Sequence, residues 1–222
     1  MNLLIFSETP EFTKEKESGG LAANMGRAPV MFVSGEIAGI GQRLALGQSR
    51  ALERYVARKC LLMGKTDEEE ALIDCIAENV RDIKEKWGKI KFIGGRGPNA
   101  EKTAAMDAWF SACDGERIGE FATWLGKLEA SLPSPVPYLG PLSPDPLKFN
   151  SYCVGTSTSY ADVCVWQLLR DSFDGSEADQ TSEAGRAVEA LRRSGATRLS
   201  AVASRVDTIP QVSGWLAKRP HT

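Results

Sequence analysis

Apolar positions fall into two regimes along this chain. In the first third they form short runs: Leu3 to Phe6, closed by Glu8-Thr9-Pro10, and Val30 to Val33, headed by Pro29. Short apolar runs bounded by turn residues predict strands. A proline at the head of a strand is tolerated because no ladder donor is lost inside it. Between the runs, residues 11–25 are polar and predict one short helix. Ser34-Gly35-Glu36 is turn chemistry, and Ile37 to Gly41 with Arg43 to Leu46 predict the rest of a hairpin. The spacing then changes. Leu52, Tyr55, Val56 and Cys60 follow one another at helical intervals, with Ser49 as the predicted N-cap.

Beyond Met63 to Thr66 the pattern is helical throughout. Thr66-Asp67-Glu68-Glu69 is close to a capping box, and its acidic residues suit the positive end of a helix dipole. Leu72, Ile73, Ile76, Val80, Ile83 and Trp87 then form the clearest amphipathic stripe in the sequence. A second stripe, Met106, Trp109, Phe110 and Cys113, then Phe121, Trp124, Leu125 and Leu128, is interrupted by Gly115 and Gly119. That break predicts a kink or two consecutive helices. Residues 132–158 are rich in Pro, Ser and Gly and predict a long surface connection. A helix from Ser159 follows, burying Ala161, Val165, Leu168 and Leu169. Helices near 182–194 and 197–207 come next, then Pro210 to Lys218. The predicted organisation is a small α/β domain over residues 1–63 and an all-helical domain over 66–222.

Composition narrows the chemistry. The chain has 222 residues, 42% hydrophobic and 25% charged, with a net charge of −2. That balance argues against a nucleic-acid partner, which selects for a basic face, and against an anionic membrane surface. No apolar run reaches the roughly 18 residues of a membrane span, and Met1 to Glu8 lacks the basic flank of a signal peptide. A cytoplasmic location is expected. Five scattered cysteines, without a CxxC pair, predict reduced and mostly buried thiols. The single histidine, His221, excludes Ser-His-Asp or Cys-His catalysis and a histidine-based zinc site. No metal is expected. Gly39-Ile40-Gly41 lacks the third glycine and the flanking strand and helix of a dinucleotide loop, so glycines 39, 41 and 47 read as turn residues. Gly94-Gly95-Arg96-Gly97-Pro98 reads as an interhelical loop.

Four segments in order resemble the glutathione transferases of the sigma, alpha, mu and pi group. Gly26-Arg27-Ala28-Pro29-Val30 is similar to the entry into the third strand of a thioredoxin-like domain. Gly47-Gln48-Ser49-Arg50-Ala51-Leu52-Glu53-Arg54-Tyr55-Val56-Ala57 resembles the signature after the fourth strand. Gly155 to Val163 resembles the buried N-capping box of the helical domain, and Ile209 to Pro220 the family's C-terminal helix. The resemblance implies a thioredoxin-like α/β domain followed by an all-helical bundle. It implies a cytosolic transferase that joins the thiol of glutathione, its co-substrate, to electrophilic small molecules as part of detoxification. It also implies a homodimer.

It further implies roles for individual residues. A cis Ala28–Pro29 bond would turn the backbone of Val30 outward to pair with the cysteinyl part of glutathione. Ser49, at a helix N-terminus, and the side-chain amide of Gln48 would hold the γ-glutamyl carboxylate. Lys16, spaced four residues from Phe12 and close to Lys14, would face the glycyl carboxylate, or these residues are simply a solvated helix face. Ser159 and Asp162, at N-cap and N3, would form a structural capping box.

The family's thiolate-stabilising hydroxyl follows its first strand. Only 28 residues precede Pro29, fewer than β-α-β-α requires, since one βαβ unit takes roughly 30. Leu3 to Ser7 is therefore expected to correspond to the second strand, with the first strand and helix absent and the α/β domain incomplete. The other alignment makes Leu3 to Phe6 the first strand and Ser7 the hydroxyl donor. Tyr55, Tyr138, Tyr152 and Tyr160 all lie after the signature and match no catalytic position. Two functions remain open: a transferase, or a non-catalytic glutathione-binding or scaffold protein of the same fold.

Overall fold

The computed structural model describes residues 2–4, 10–33, 44–95, 99–111, 119–134 and 151–218. The chain divides into two compact units, Met1–Leu61 and Leu62–Thr222. Several expectations lie outside the described residues: Ser7, the turn and half-hairpin over 34–43 with Gly39 and Gly41, Arg96 to Pro98, Cys113, Gly115, Tyr138, the proline-rich 135–150 and His221. The side chain of Phe12 lies outside them too.

The first unit is a three-stranded antiparallel sheet with helices. Strands β1 (Asn2–Leu4) and β3 (Leu44–Gly47) flank a central β2 (Val30–Val33). The registers pair Leu4 with Val30 on one side and Val30 with Gly47 on the other. The polar stretch after β1 is two elements rather than one helix. Helix α1 spans Pro10–Glu17, and a 3-10 turn follows at Ala22–Asn24. Helix α2 runs Ser49–Lys59. Val30, Met31, Leu21 and Leu52 form the buried layer.

Two local expectations in this unit are corrected. Ser49 is the first helical residue and not the N-cap; Gln48 takes the cap position, without a side-chain cap bond. Gly47 is the last residue of β3 and not a turn glycine. A Cβ there would lie 2.6 Å from the Cβ of Asn24 and closer still to the Ala23 carbonyl. Glycine is required because β3 ends directly against the 3-10 turn.

The second unit is all helix among its described residues. Its longest element, α3 (Asp67–Lys91), starts at Thr66, whose hydroxyl accepts the Glu69 N–H at 3.2 Å. The Glu69 carboxylate reaches back to the Lys65 N–H at 2.7 Å, one residue beyond the N-cap, so the capping box is displaced by a residue. Ile73, Ile76, Val80, Ile83 and Trp87 are buried, but Leu72 turns to solvent. The interrupted stripe resolves into two helices, α4 (Ala100–Phe110) and α5 (Glu120–Ser131). Trp109, Phe110 and Phe121 join Trp87 and Phe173 in one cluster. Trp87 stacks on Trp109 with centroids 6.3 Å apart, and Phe121 meets Phe173 edge-on at 5.1 Å. The remaining helices are α6 (Tyr160–Arg170), α7 (Glu183–Ser194), α8 (Thr197–Asp207) and α9 (Pro210–Leu216). No helix among the described residues is long and apolar enough to cross a membrane.

The end of the proline-rich connection is buried, contrary to a surface path: Ser151, Cys153 and Val154 are all inside. Asp162 and Arg198 draw it in. Asp162 Oδ1 accepts the Cys153 N–H at 2.6 Å, and Oδ2 accepts the Ser159 N–H at 2.6 Å and the Ser159 hydroxyl at 2.7 Å. Ser159 in turn caps α6 through the Asp162 N–H, completing a reciprocal box. The guanidinium of Arg198 donates to the carbonyls of Pro133 at 2.5 Å, Tyr152 at 2.8 Å and Cys153 at 3.1 Å. Because α8 has no side-chain cap of its own, the Glu129 carboxylate from α5 supplies one. It accepts the N–H groups of Arg198 at 2.8 Å and Leu199 at 2.9 Å.

Among the described cysteines, Cys153 alone is buried as expected. Cys60 and Cys75 are exposed and Cys164 is intermediate. Cys60 follows the last turn of α2, and Cys75 lies on α3 just off its buried stripe.

Candidate functional site

Strand pairing brings together the two stretches singled out from the sequence. Val30 opposite Gly47 sets Ala28-Pro29 beside Gly47-Gln48-Ser49. The Ala28–Pro29 bond is cis. Val30 is 1% exposed and has a strand neighbour on each side. It is the first residue of the central strand, directly after the cis bond. The half-buried Ala28-Pro29 segment lies just before the paired residues and is the backbone left beside the sheet.

Gln48 has φ 70 and ψ 115, a conformation that residues with a Cβ seldom adopt. Such strain costs on the order of 1–3 kcal/mol and concentrates at functional sites. Here it turns the chain sharply from β3 into α2 and leaves the side chains of Gln48 and Ser49 exposed at the helix start. With no side-chain cap, the first N–H groups of α2 point out at the positive end of its dipole, an arrangement that attracts an anion.

The head of α2 opens onto a cleft of about 790 Å³ that includes Leu46, Gln48, Ser49 and Tyr55. Arg50, Arg54 and Arg58, four residues apart along the helix, also line it. The sequence analysis did not single out this arginine row, though its four-residue spacing is legible there. It also missed Asn24, a buried polar residue whose side-chain Nδ2–H donates to the Pro29 carbonyl at 3.0 Å. Nothing in the sequence pattern marks Asn24 as a buried residue.

Lys16 is an exposed residue of the last turn of α1, and among the described residues no side-chain bond ties it to these stretches. No group of His, Cys, Asp and Glu suited to a metal occurs among the described residues. Ser159 and Asp162 are buried in the helical unit and serve its fold. Burial is the main influence on the Asp162 carboxyl and holds it above the ordinary aspartate range, against the opposing pull of its hydrogen bonds. Burial, followed by the neighbouring Asp162 charge, pushes the Cys153 thiol well up.

No protein-family model matches the chain. Sequence relatives do. The chain is 26% identical over 199 residues to a hematopoietic prostaglandin D synthase of Gallus gallus, covering 89% of this chain and 75% of that protein. It is 26% identical over 204 residues to glutathione S-transferase 1 of Ascaris suum, covering 89% and 76%. The chain is a distant homologue of the sigma/pi-like cytosolic glutathione S-transferases over most of its length. The fold agrees. The sigma-class enzyme of Fasciola hepatica superimposes with a TM-score of 0.60 at 21% identity, covering 96% of this chain and 81% of the other. The pi-class enzyme of Onchocerca volvulus gives 0.60 at 19% identity, covering 95% and 77%. Such relatives thus span most of the chain.

Proposed function

We propose that the protein binds glutathione at the junction of Pro29, Gln48 and Ser49 and joins its thiol to electrophilic small molecules. The observation that carries this reading is the strained Gln48 at the uncapped head of α2, set beside the cis-proline segment by strand pairing. The γ-glutamyl carboxylate sits at the helix N-terminus, where free N–H groups and the dipole favour it. The Gln48 amide donates to the same group. The cysteinyl backbone lies along Ala28-Pro29, and Lys16 serves the glycyl carboxylate. In the reaction the glutathione thiol loses its proton to bulk water, and the thiolate attacks the electrophilic carbon. A C–S bond forms as the leaving group departs with its electron pair. The protein acts in the cytosol as a homodimer, which a mass measurement in solution checks.

Calorimetric titration tests the binding. Wild type should show saturable glutathione binding, and Gln48→Ala should weaken it about tenfold, the value of one hydrogen bond to a charged group. Turnover with an aryl halide tests the chemistry. Binding without turnover would assign the non-catalytic alternative, and no binding by folded protein would sink both.

A further inference from the structure

One buried polar side chain in the first unit is not accounted for by folding alone. Asn24 is only 4% exposed. Its Nδ2–H donates to the Pro29 carbonyl at 3.0 Å, while its Oδ1 is buried and finds no donor among the described residues. Native structures rarely leave such an acceptor unpaired, so each instance calls for a reason. Leucine, of similar size, would fill the same space without an orphaned oxygen. Asn24 is also held on its other sides. Its N–H donates to the Leu21 carbonyl at 2.9 Å, and its own carbonyl accepts the Arg27 N–H at 3.0 Å. Its Cβ stands directly over Gly47, where no side chain fits.

Asn24 therefore touches both recognition stretches at once, Pro29 through its amide and Gly47 through its Cβ. We infer that Asn24 is a positioning residue of the glutathione site. Its amide fixes the Pro29 carbonyl, and with it the Ala28-Pro29 segment, at a set distance from the Gly47-Gln48-Ser49 anion site. A tripeptide that spans both stretches needs that spacing, and small errors in it weaken binding sharply. Local rules of burial are broken most often where function requires it. This inference rests on the proposed glutathione binding and adds to it a residue that does not itself touch the ligand.

The test compares wild type, Asn24→Leu, which keeps the volume and removes the donor, and Asn24→Asp, which keeps the acceptors and removes the donor. Glutathione dissociation constants are measured by calorimetry on folded protein, with the melting temperature recorded alongside. Both variants should bind at least about tenfold more weakly, whatever happens to the melting temperature. A purely structural role would lower the melting temperature and leave the dissociation constant of the folded protein within about twofold, which would overturn the inference. A second measurement needs no variant. In ¹⁵N-labelled wild type, saturation with glutathione should shift the Asn24 side-chain amide signals and slow their exchange; unchanged signals in the glutathione-bound protein would equally overturn it. Wild type that fails to bind glutathione would refute the proposed function itself, a result distinct from wild type and Asn24→Leu binding alike.

Discussion

Gln48 offers the sharpest test of the site because its backbone and side chain make separable demands. At φ 70 and ψ 115 its Cβ is crowded by the chain. The angles are also far from the left-handed minimum near φ 57, ψ 47, where a residue with a Cβ is least uncomfortable. The strain is thus on the order of 2 kcal/mol. Glycine at this position relieves it but adds roughly 0.5–1 kcal/mol of backbone entropy to be lost on folding. Gln48→Gly should therefore be more stable than Gln48→Ala by about 1 kcal/mol. Both variants lack the glutamine amide, so their difference isolates the Cβ. Urea unfolding should show a higher midpoint for the glycine variant with an unchanged slope, or a melting temperature higher by about 2–4 °C for a chain of this size. Both should bind glutathione equally poorly. An alanine variant as stable as the glycine variant, or more stable, would mean that Gln48 is not strained and that the argument from strain to function fails.

Other expectations follow from the helical unit. Asp162→Ala leaves the Cys153 and Ser159 N–H groups without their acceptor and should cost at least about 3 kcal/mol. Ser159→Ala, which removes one cap, should cost about 1 kcal/mol; denaturant unfolding ranks the two. Because burial raises the Asp162 carboxyl, the folded state holds its proton to higher pH than the unfolded chain does. Its contribution is complete below the unfolded value and is lost as pH rises through the folded one. The stability of wild type relative to Asp162→Asn should fall from about pH 3.8 upward, and a rise would refute the sign. Glu129→Ala removes the cap that α5 lends to α8 and should cost about 2 kcal/mol by thermal unfolding, with Glu129→Gln intermediate. Exposed Cys60 and Cys75 should react with a thiol reagent in the native protein. Cys153, buried and kept protonated, should react only after unfolding, as mapped by mass spectrometry.

Periodicity made the helical unit legible. The stripe from Ile73 to Trp87 and the Ser159–Asp162 spacing both report local geometry, which a helix expresses directly in sequence. Leu72 and Cys75 were misread because an apolar residue one position off the stripe looks the same in sequence as one on it. The first unit was less readable. Its strands are short, and its shape depends on how β3 ends against the 3-10 turn, a contact between Gly47 and Asn24 distant in sequence. The sequence shows Gln48 only as a side-chain amide for the γ-glutamyl carboxylate, because a left-handed backbone leaves no mark on residue type other than glycine or asparagine. The inward path of Ser151 to Val154 was hidden by a proline-rich composition that signals only the absence of helix. What drew it in, Arg198 and Asp162, lies elsewhere in the chain.

The Arg198 guanidinium has a consequence for how this chain can vary. It grips the backbone at Pro133, where the chain leaves α5, and again at Tyr152 and Cys153, where it returns to α6. Both flanks of the intervening segment are thus moored to one side chain. Doubling the length of such a segment costs only about 0.6 kcal/mol of closure entropy. Lengthening the chain here is therefore expected to cost the bundle little, provided the clasp is kept. The same side chain marks the limit of that tolerance, since severing it frees both moorings at once.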